Sequence, residues 1–331
     1  MIYGGFDPAF IDIDIQPLNS DNTSFIKELP SPGSHHINTK LDFQPGGNGF
    51  NLCRTLATLG REVTYVGPSS GFYEQLIQDN KIPVKVKAIK NAKVNYTTIL
   101  NLMKGEVQFN TIQGKLSIEN LSEEIIGYYR RSPLKSISNI SLNPSSIEWV
   151  SSLLLSLEDD NILNSLKENR NPFDLLSACS GSSYDGIIFV DPSDISHVDR
   201  LGEFCQILEY LKIFDGEKYL SVNELEMKAL GNHFSKTPKE LADFLKLPII
   251  LHTSEIVSFY GREEIDLKTR KLEHKVKFVG AGDCFNGAFL DARFDACSLE
   301  DSLQYAIDAA SHLISTGNYP TSLHISKRIN S

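Results

Sequence analysis

Short apolar runs alternate with helical patterns through the second half of the chain. Buried strands are predicted at 137–142, 186–191, 218–222 and 248–252, because each run lies between turn-forming or polar residues. The segments between them carry apolar residues at helical spacing, so strand and helix alternate repeatedly. The pattern predicts an α/β fold with a mainly parallel sheet.

The first residues predict one strand that leaves the core at Gly4 and Gly5, followed by a second strand of alternating polarity. Asp7 and Asp12 come where the first strand has ended. In an open α/β sheet the carboxyl ends of strands face the ligand crevice, so both acids are candidates for contacts with substrate hydroxyls. The alternative is that they are turn and surface acids.

A glycine-rich segment, P-G-G-N-G-F-N-L-C-R-T-L-A-T-L-G at 45–60, predicts a helix that ends before a strand at 63–66. Gly60 is a natural C-terminal cap for this helix. The paired glycines Gly46 and Gly47 let the backbone approach a ligand closely, and Asn51 offers an amide in the first turn. A flexible helix start is the alternative interpretation.

From 84 to 111 the pattern changes to alternating apolar and polar residues, with turns at Asn91 and Gly105. This pattern predicts a small β-sheet apart from the main core. A long, mostly helical connection follows at 151–183, to which the sequence assigns no function.

A second glycine turn, Gly280–Gly282, lies within K-V-K-F-V-G-A-G-D-C-F-N-G-A-F-L-D at 275–291. Val276 and Val279 predict the end of a buried strand, and the apolar residues that follow recur at helical spacing. Backbone amides at such a helix start bind phosphate oxygens. Asp283 would repel a simple phosphate ligand, so we interpret it as a base; the alternative is an acid that caps the helix.

Two further polar pairs follow predicted strands. Asp191 comes directly before Pro192, which places its carboxylate at the carboxyl edge of the sheet. Asn223 and Glu226 have the spacing of a capping box. The same two side chains also suit a hydrated magnesium ion, which prefers oxygen ligands and accompanies nucleotide phosphates, and both roles are compatible.

Composition narrows the function classes. The chain has 331 residues, 41% of them hydrophobic, and a net charge of -10, which argues against nucleic-acid binding. Five cysteines without C-x-x-C spacing predict buried reduced thiols and favour the cytoplasm. The pattern predicts no signal peptide and no membrane span, so no membrane partner is expected.

Five segments together resemble the ribokinase-like (PfkB) family of carbohydrate and nucleoside kinases, nearly from end to end. P-S-P-G at 30–33 and G-G-N-G-F-N at 46–51 resemble its first signature, and V-G-A-G-D-C-F-N-G-A-F at 279–289 its second. V-N-E-L-E at 222–226 resembles its N-x-x-E motif. L-Q-Y-A-I-D-A-A-S-H-L at 303–313 resembles the helix that lines its adenine pocket.

The resemblance implies a single kinase domain over 1–331, with a three-layer α/β/α body and β lid segments at about 15–44 and 84–111. It implies transfer of the terminal phosphoryl group of ATP to a hydroxymethyl group on a sugar or nucleoside. Asp283 would be the base, and the Gly280, Ala281 and Gly282 amides would stabilise charge on the moving group. A homodimer through the lid is also plausible for this family.

The remaining site residues are likewise implied by the resemblance. Acceptor hydroxyls would be held by Asp7, Asp12, Gly46, Gly47 and Asn51. The nucleotide would be held by Asn223, Thr253, Ile307 and Ala310. Magnesium would be ordered through water by Asn223 and Glu226.

Several positions depart from the family pattern. Lys277, Phe278 and Val279 stand where many members have Asp-Thr or Asp-Thr-Thr, so the resemblance does not extend to the family's monovalent-cation site. Thr253 is not followed by the usual glycines, which leaves ADP open as an alternative donor. A nucleoside kinase, suggested by N-L-C-R at 51–54, and a non-catalytic sugar or nucleotide sensor remain the alternative functions.

Overall fold

The structure is a computed structural model. It describes residues 1–17, 39–102, 105–114, 116–138, 145–157, 162–167, 172, 175, 184–193, 195, 198–273 and 275–325. The turn predicted at 30–33, Cys179 and most of the predicted lid segment 15–44 lie outside these residues.

The strands, in chain order, are β1 (Ile2–Gly5), β2 (Phe10–Pro17), β3 (Thr39–Gly46), β4 (Val63–Gly67), β5 (Lys85–Ala88), β6 (Asn95–Leu102), β7 (Gly105–Thr111), β8 (Leu134–Ser138), β9 (Ile187–Asp191), β10 (Glu217–Asn223), β11 (Ile249–His252), β12 (Ile256–Tyr260) and β13 (Glu264–Lys268). The α-helices are α1 (Asn48–Thr58), α2 (Gly71–Asp79), α3 (Glu123–Arg131), α4 (Ser145–Leu155), α5 (Ile162–Lys167), α6 (Val198–Tyr210), α7 (Glu224–Phe234), α8 (Pro238–Leu245), α9 (Ala281–Phe294) and α10 (Leu299–Thr316).

The central layer consists of two strand sets that meet side by side. One has the order β5-β4-β1 and the other the order β8-β9-β10-β11-β12-β13. Pairing is parallel except for the β11-β12 and β12-β13 pairs. At the junction, the Ser132 hydroxyl donates to the Tyr3 carbonyl at 2.6 Å. The predicted mainly parallel sheet is confirmed, with an antiparallel hairpin at one edge.

Helices cover both faces of this sheet, because the side chains of a strand alternate between its faces. On β9, Phe189 packs into one hydrophobic core with α1, α9 and α10. Its neighbours Ile188 and Val190 pack into the other core with α3, α4, α6, α7 and α8. The predicted three-layer α/β/α fold is therefore confirmed.

A separate four-stranded sheet has the order β3-β2-β6-β7. One part of the sequence prediction for it is wrong: residues 85–88 form β5, which pairs in parallel with β4 at the edge of the main sheet. An exposed edge strand and a small-sheet strand show the same alternation of polarity, so the pattern alone does not distinguish them.

The strand end predicted at Val276–Val279 is also wrong. Residues 275–278 have no strand pairing, and the amides of Val276 and Lys277 donate instead to the Ile314 carbonyl, at 2.7 and 3.3 Å. Ile314 lies near the end of α10, where carbonyls lack helical donors. The last turn of α10 therefore replaces a strand partner and holds this segment against the start of α9.

Candidate active site

The start of α9 forms a tight turn at Gly280, whose φ of 81° is a left-handed conformation that favours glycine. A Cβ added there would lie 2.8 Å from the Tyr319 hydroxyl oxygen. Within the described residues, the amides of Gly280, Gly282 and Asp283 have no hydrogen-bond acceptor, whereas the Ala281 amide donates to the Phe278 carbonyl at 3.1 Å. Three unpaired amides at a helix N-terminus can receive an anion.

A chain of hydrogen bonds holds Asp283 from the opposite side. The Asn51 side-chain amide on α1 donates to the Asp283 carboxylate at 3.0 Å. Tyr319, beyond the end of α10, donates its hydroxyl to the Asn51 side-chain oxygen at 3.0 Å. Asp283 and Tyr319 are both only 8% exposed, so the carboxylate is fixed in one orientation with little water around it.

Burial raises the pKa of Asp283 well above its usual range, the nearby Asp191 carboxylate raises it further, and the bond from Asn51 lowers it. Burial also raises the pKa of Asp191 to about 6. A carboxylate that loses hydration in this way is a stronger base, which is the property needed by a group that accepts a proton near neutral pH.

Asp191 is part of a polar network at the carboxyl ends of β9 and β10. The Asn286 side-chain amide on α9 donates to the Asp191 carboxylate at 2.9 Å, and the Ser221 hydroxyl donates to the Asn286 oxygen at 2.7 Å. Asn48, at the start of α1, donates to the Ser193 hydroxyl at 2.7 Å. This network aligns α9 with the ends of both strands.

A cavity of about 460 Å³ opens on the other side of the glycine turn. Ala281 and Gly282 form part of its wall, and the β11-β12 turn forms another. One face of α10 forms a further wall. The residues of this wall recur at helical spacing and are Ile307, Ala310, Ser311 and Ile314. An apolar cavity beside unpaired helix amides can accept a ligand that has both an apolar ring and an anionic group.

Polar groups at the mouth of this cavity come from the end of β11. The Thr253 hydroxyl donates to the Ile256 carbonyl at 2.9 Å and so closes the turn into β12. His252 also lines the cavity, and burial lowers its pKa to about 4, so its ring is neutral at pH 7. Arg270 at the rim pairs with Asp308 of α10 at 3.0 Å.

Asn223 and Glu226 form the capping box that their spacing predicts. The Asn223 side chain accepts from the Glu226 amide at 3.0 Å, and the Glu226 carboxylate accepts from the Asn223 amide at 2.8 Å. Asn223 pairs in register with His252 at the carboxyl edge of the sheet, so the box lies next to the cavity. Both side chains present oxygens there, as a water-mediated ion site requires.

The predicted acceptor residues gather around the start of α1. The Asp7 carboxylate is only 2% exposed and accepts from the Gly49 amide at 2.8 Å and the Ser138 hydroxyl at 3.0 Å. A Cβ on Gly46 would lie 2.1 Å from an Asp12 carboxylate oxygen. Gly47 has a φ of 101°, which lets the chain turn from β3 into α1.

Several solved structures that share this fold are those of kinases. The model of the pfkB family carbohydrate kinases matches residues 193–324, less than half of the chain, and that segment contains both the capping box and the second glycine turn. Among solved structures, a ribokinase II from E. coli in complex with ATP and Mg²⁺ has a TM-score of 0.68 at 17% identity, over 97% of this chain and 96% of that one. The predicted ribokinase-like (PfkB) resemblance is confirmed.

Other ribokinase-like structures match this fold with similar TM-scores and similarly low sequence identities. Arabidopsis thaliana ribokinase complexed with ribose and ATP has a TM-score of 0.62 at 17% identity, with 98% and 96% of the chains covered. A nucleoside kinase of Methanocaldococcus jannaschii has a TM-score of 0.62 at 15% identity, with 97% and 94% covered. Identities this low establish the ribokinase-like fold but not the substrate. No curated protein matches the chain.

The tertiary structure brings the predicted site residues into two adjoining groups. One group, called the donor group after the role that the resemblance implies, lines the cavity and contains Thr253, Ile307 and Ala310. The capping box lies beside this group, because Asn223 is the register partner of His252. The acceptor group lies around Asn51 and the start of α1, and Asp283 lies between the two.

Sequence reasoning missed Tyr319 and His252. Tyr319 lies 268 positions from the asparagine it contacts, and no motif marks it. His252 precedes the threonine that the family pattern singles out, and only its position at the end of β11 reveals it.

The described residues contain no group of three or more His, Cys, Asp and Glu side chains that could hold a metal ion. The cysteines at 53, 205, 284 and 297 are buried, as predicted. A helix of the length and apolarity needed for a membrane span is absent from the same part of the chain.

Proposed function

We propose that this protein is a phosphotransferase that moves the terminal phosphoryl group of ATP to a hydroxymethyl group of a sugar or sugar derivative. The observation that carries the proposal is the placement of Asp283. Its backbone belongs to the anion-binding turn at the cavity, whereas its carboxylate points to Asn51 in the acceptor group. A base between a phosphate site and a hydroxyl site is the arrangement that phosphoryl transfer to an alcohol requires.

In the proposed reaction, the acceptor oxygen attacks the terminal phosphorus of the nucleotide. The new O–P bond forms as the bond to the departing ADP oxygen breaks, and the hydroxyl proton passes to the Asp283 carboxylate. The unpaired amides of Gly280, Gly282 and Asp283 would stabilise charge on the transferring group. The Ala281 amide is engaged by Phe278, so we assign it a structural part in this turn.

The donor set supports a magnesium ion held mainly by the nucleotide phosphates. Asn223 and Glu226 each use a side-chain oxygen in the capping box, which favours contact through water over direct coordination. When bound, magnesium would neutralise charge on the phosphates. The role of the two residues would be to orient its water shell.

We further propose that the chain acts as one domain and that the β3-β2-β6-β7 sheet is its lid. Asp12 and Gly46 belong to this sheet and also to the acceptor group, so a movement of the sheet would close the acceptor site. Exclusion of water in this way would limit hydrolysis of the nucleotide.

The test is a nucleotide-consumption assay with magnesium, using ATP or ADP as donor and a panel of sugars, sugar phosphates, sugar acids and nucleosides. The comparison variant is Asp283→Asn, which keeps the shape of the side chain and removes the base. We expect turnover of at least one acceptor, and a loss of at least about a hundredfold in kcat for the variant.

The other results separate the alternatives. Turnover of nucleosides alone would indicate the nucleoside kinase, for which the Methanocaldococcus jannaschii neighbour is a structural precedent. Silence with both donors, in folded protein that still binds nucleotide, would contradict the proposal and favour a sensor.

A further inference from the structure

Two cationic side chains lie against one aromatic ring beside the acceptor group. The Arg54 guanidinium lies 4.1 Å from the centre of the Tyr319 ring, and the Lys277 ammonium lies 5.8 Å from the same point. Arg54 follows Asn51 by one helical turn on α1, and the Tyr319 hydroxyl bonds to Asn51. Tyr319 therefore links both cations to Asn51, which itself contacts Asp283.

Neither cation has an anionic partner among the described residues. The Nε atom of Arg54 is buried and has no hydrogen-bond acceptor. No described carboxylate lies within ion-pair distance of Arg54 or Lys277, although other arginines of the chain, such as Arg61 and Arg293, are paired. A buried guanidinium donor without an acceptor is costly, and a second cation beside it adds repulsion.

Carboxylates of the small sheet face the pair from a distance. Asp14 and Asp42 are register partners on β2 and β3, and Asp12 precedes them on the same side of β2. Burial and the charge of Arg54 lower the pKa of Lys277, whereas these three carboxylates raise it. These three carboxylates therefore act electrostatically on Lys277 without forming an ion pair with it.

An acceptor with hydroxyls at one end and an anionic group at the other would complement both the carboxylates and the two cations. Hydroxyls can donate to Asp12 and its neighbours, whereas a phosphate or carboxylate can accept from the Arg54 fork and the Lys277 ammonium. Resting on the function proposed above, we infer that the acceptor is an anionic sugar derivative, a sugar phosphate or a sugar acid, whose anionic group is bound by Arg54 and Lys277.

The test uses matched acceptors that differ in charge and retain a free hydroxymethyl group: fructose with fructose 6-phosphate, and glucose with gluconate. They are assayed with the full chain and with Arg54→Gln and Lys277→Gln. Lys239→Gln is the control, since Lys239 lies on α8 and pairs with Asp243 on the surface. Calorimetric titration with inorganic phosphate measures anion binding independently of turnover.

We expect one charged acceptor to exceed its neutral partner by at least about tenfold in kcat/KM. Each cation variant should lower kcat/KM for that acceptor by about tenfold to a hundredfold and weaken phosphate binding, with the KM for ATP unchanged. Lys239→Gln should match the unmodified chain. Arg54→Lys, which retains the charge, should recover part of the loss if Arg54→Gln is poorly folded.

Three results would overturn the inference: equal use of neutral and charged acceptors with no effect of either variant, an effect confined to the KM for ATP, or no binding of phosphate or charged sugars. The second would place the two cations at the terminal phosphate of the donor. Loss of phosphate binding in both variants, without turnover of any acceptor, would support the anion site and contradict the proposed function instead.

Discussion

Asp283 combines two properties that oppose each other in a folded protein. It is a carboxylate at a helix N-terminus, where the dipole favours negative charge, and it is buried close to Asp191. The second effect dominates and raises its pKa. A site that keeps such a group sacrifices stability for basicity, since ionisation of a buried carboxylate is unfavourable.

Asp283→Asn should therefore stabilise the fold as the pH rises. An unfolded Asp ionises near pH 4, at about 3.9. Above that pH the unfolded chain has released the proton that the folded chain retains, so the free energy of unfolding of the unmodified protein falls with pH relative to the variant. The two proteins should be similar below about pH 4 and diverge above it.

Urea unfolding at a series of pH values measures this difference. Asp266→Asn is a suitable control, because Asp266 lies on the edge strand β13 and shows no such burial. A constant difference between Asp283→Asn and the unmodified chain at all pH values would contradict a raised pKa in the folded state.

At the scale of elements, the site depends on where α9 begins. The strand predicted before it is absent, and the preceding segment is held instead by the Ile314 carbonyl of α10. The left-handed turn at Gly280 then directs the helix amides into the cavity and leaves room for Tyr319. The glycine turn is thus positioned by two helices, with glycine needed at one position.

Gly280→Ala should disturb both the backbone and the Tyr319 contact. A left-handed conformation costs a residue with a Cβ about 1–2 kcal/mol, and the new methyl group would displace the Tyr319 hydroxyl. We expect lower thermal stability and a fall in kcat of at least about tenfold, because the anion-binding amides and Asn51 both shift.

The matched control is Gly202→Ala in α6, where an added Cβ meets nothing within 4 Å. Alanine is the better helix former, so this variant should be as stable as the unmodified chain or more so, by up to about 1 kcal/mol. Equal melting temperatures and equal kcat for Gly280→Ala and the unmodified chain would show that the turn tolerates a side chain.

At the scale of the whole molecule, distant segments are joined by a few buried polar contacts. Arg61, between α1 and β4, bonds to the Asp291 carboxylate of α9 at 2.5 Å and to Asp295 at 2.5 Å. The Asp291 side chain is 0% exposed. This contact fixes the far end of α9 to the amino-terminal part of the chain, and the start of α9 carries the proposed base.

Arg61→Gln should lower the free energy of unfolding by roughly 2–3 kcal/mol, because it removes a charge-assisted hydrogen bond to a buried carboxylate. Denaturant unfolding measures the change, and activity should fall less than stability. Lys85→Gln is the comparison, since its pair with Glu62 is largely exposed and should matter far less. Equal effects of the two variants would contradict a special role for the Arg61 contact.

Much of the fold follows from local patterns in the sequence. The strands at 187–191, 217–223 and 249–252 lie within a residue of their predicted positions, because buried parallel strands form continuous apolar runs between turns. Capping at Asn223 was also predictable, since it involves residues only three apart. The pairing partners of strands were less predictable. The place of β5 in the main sheet depends on its pairing with β4, and the residues of β5 alone do not reveal that pairing.

The candidate site likewise contains features that local sequence predicts and features that depend on tertiary contacts. The sequence by itself determined the glycine turn, its aspartate and the acids at strand ends, because each depends on neighbours in the chain. Only the tertiary structure decided that Tyr319 holds Asn51, that Asp191 lies near Asp283, and that Arg54 and Lys277 share one ring. These are contacts between segments that are remote along the chain, and they exist only once the sheet and its two helical layers have brought those segments together.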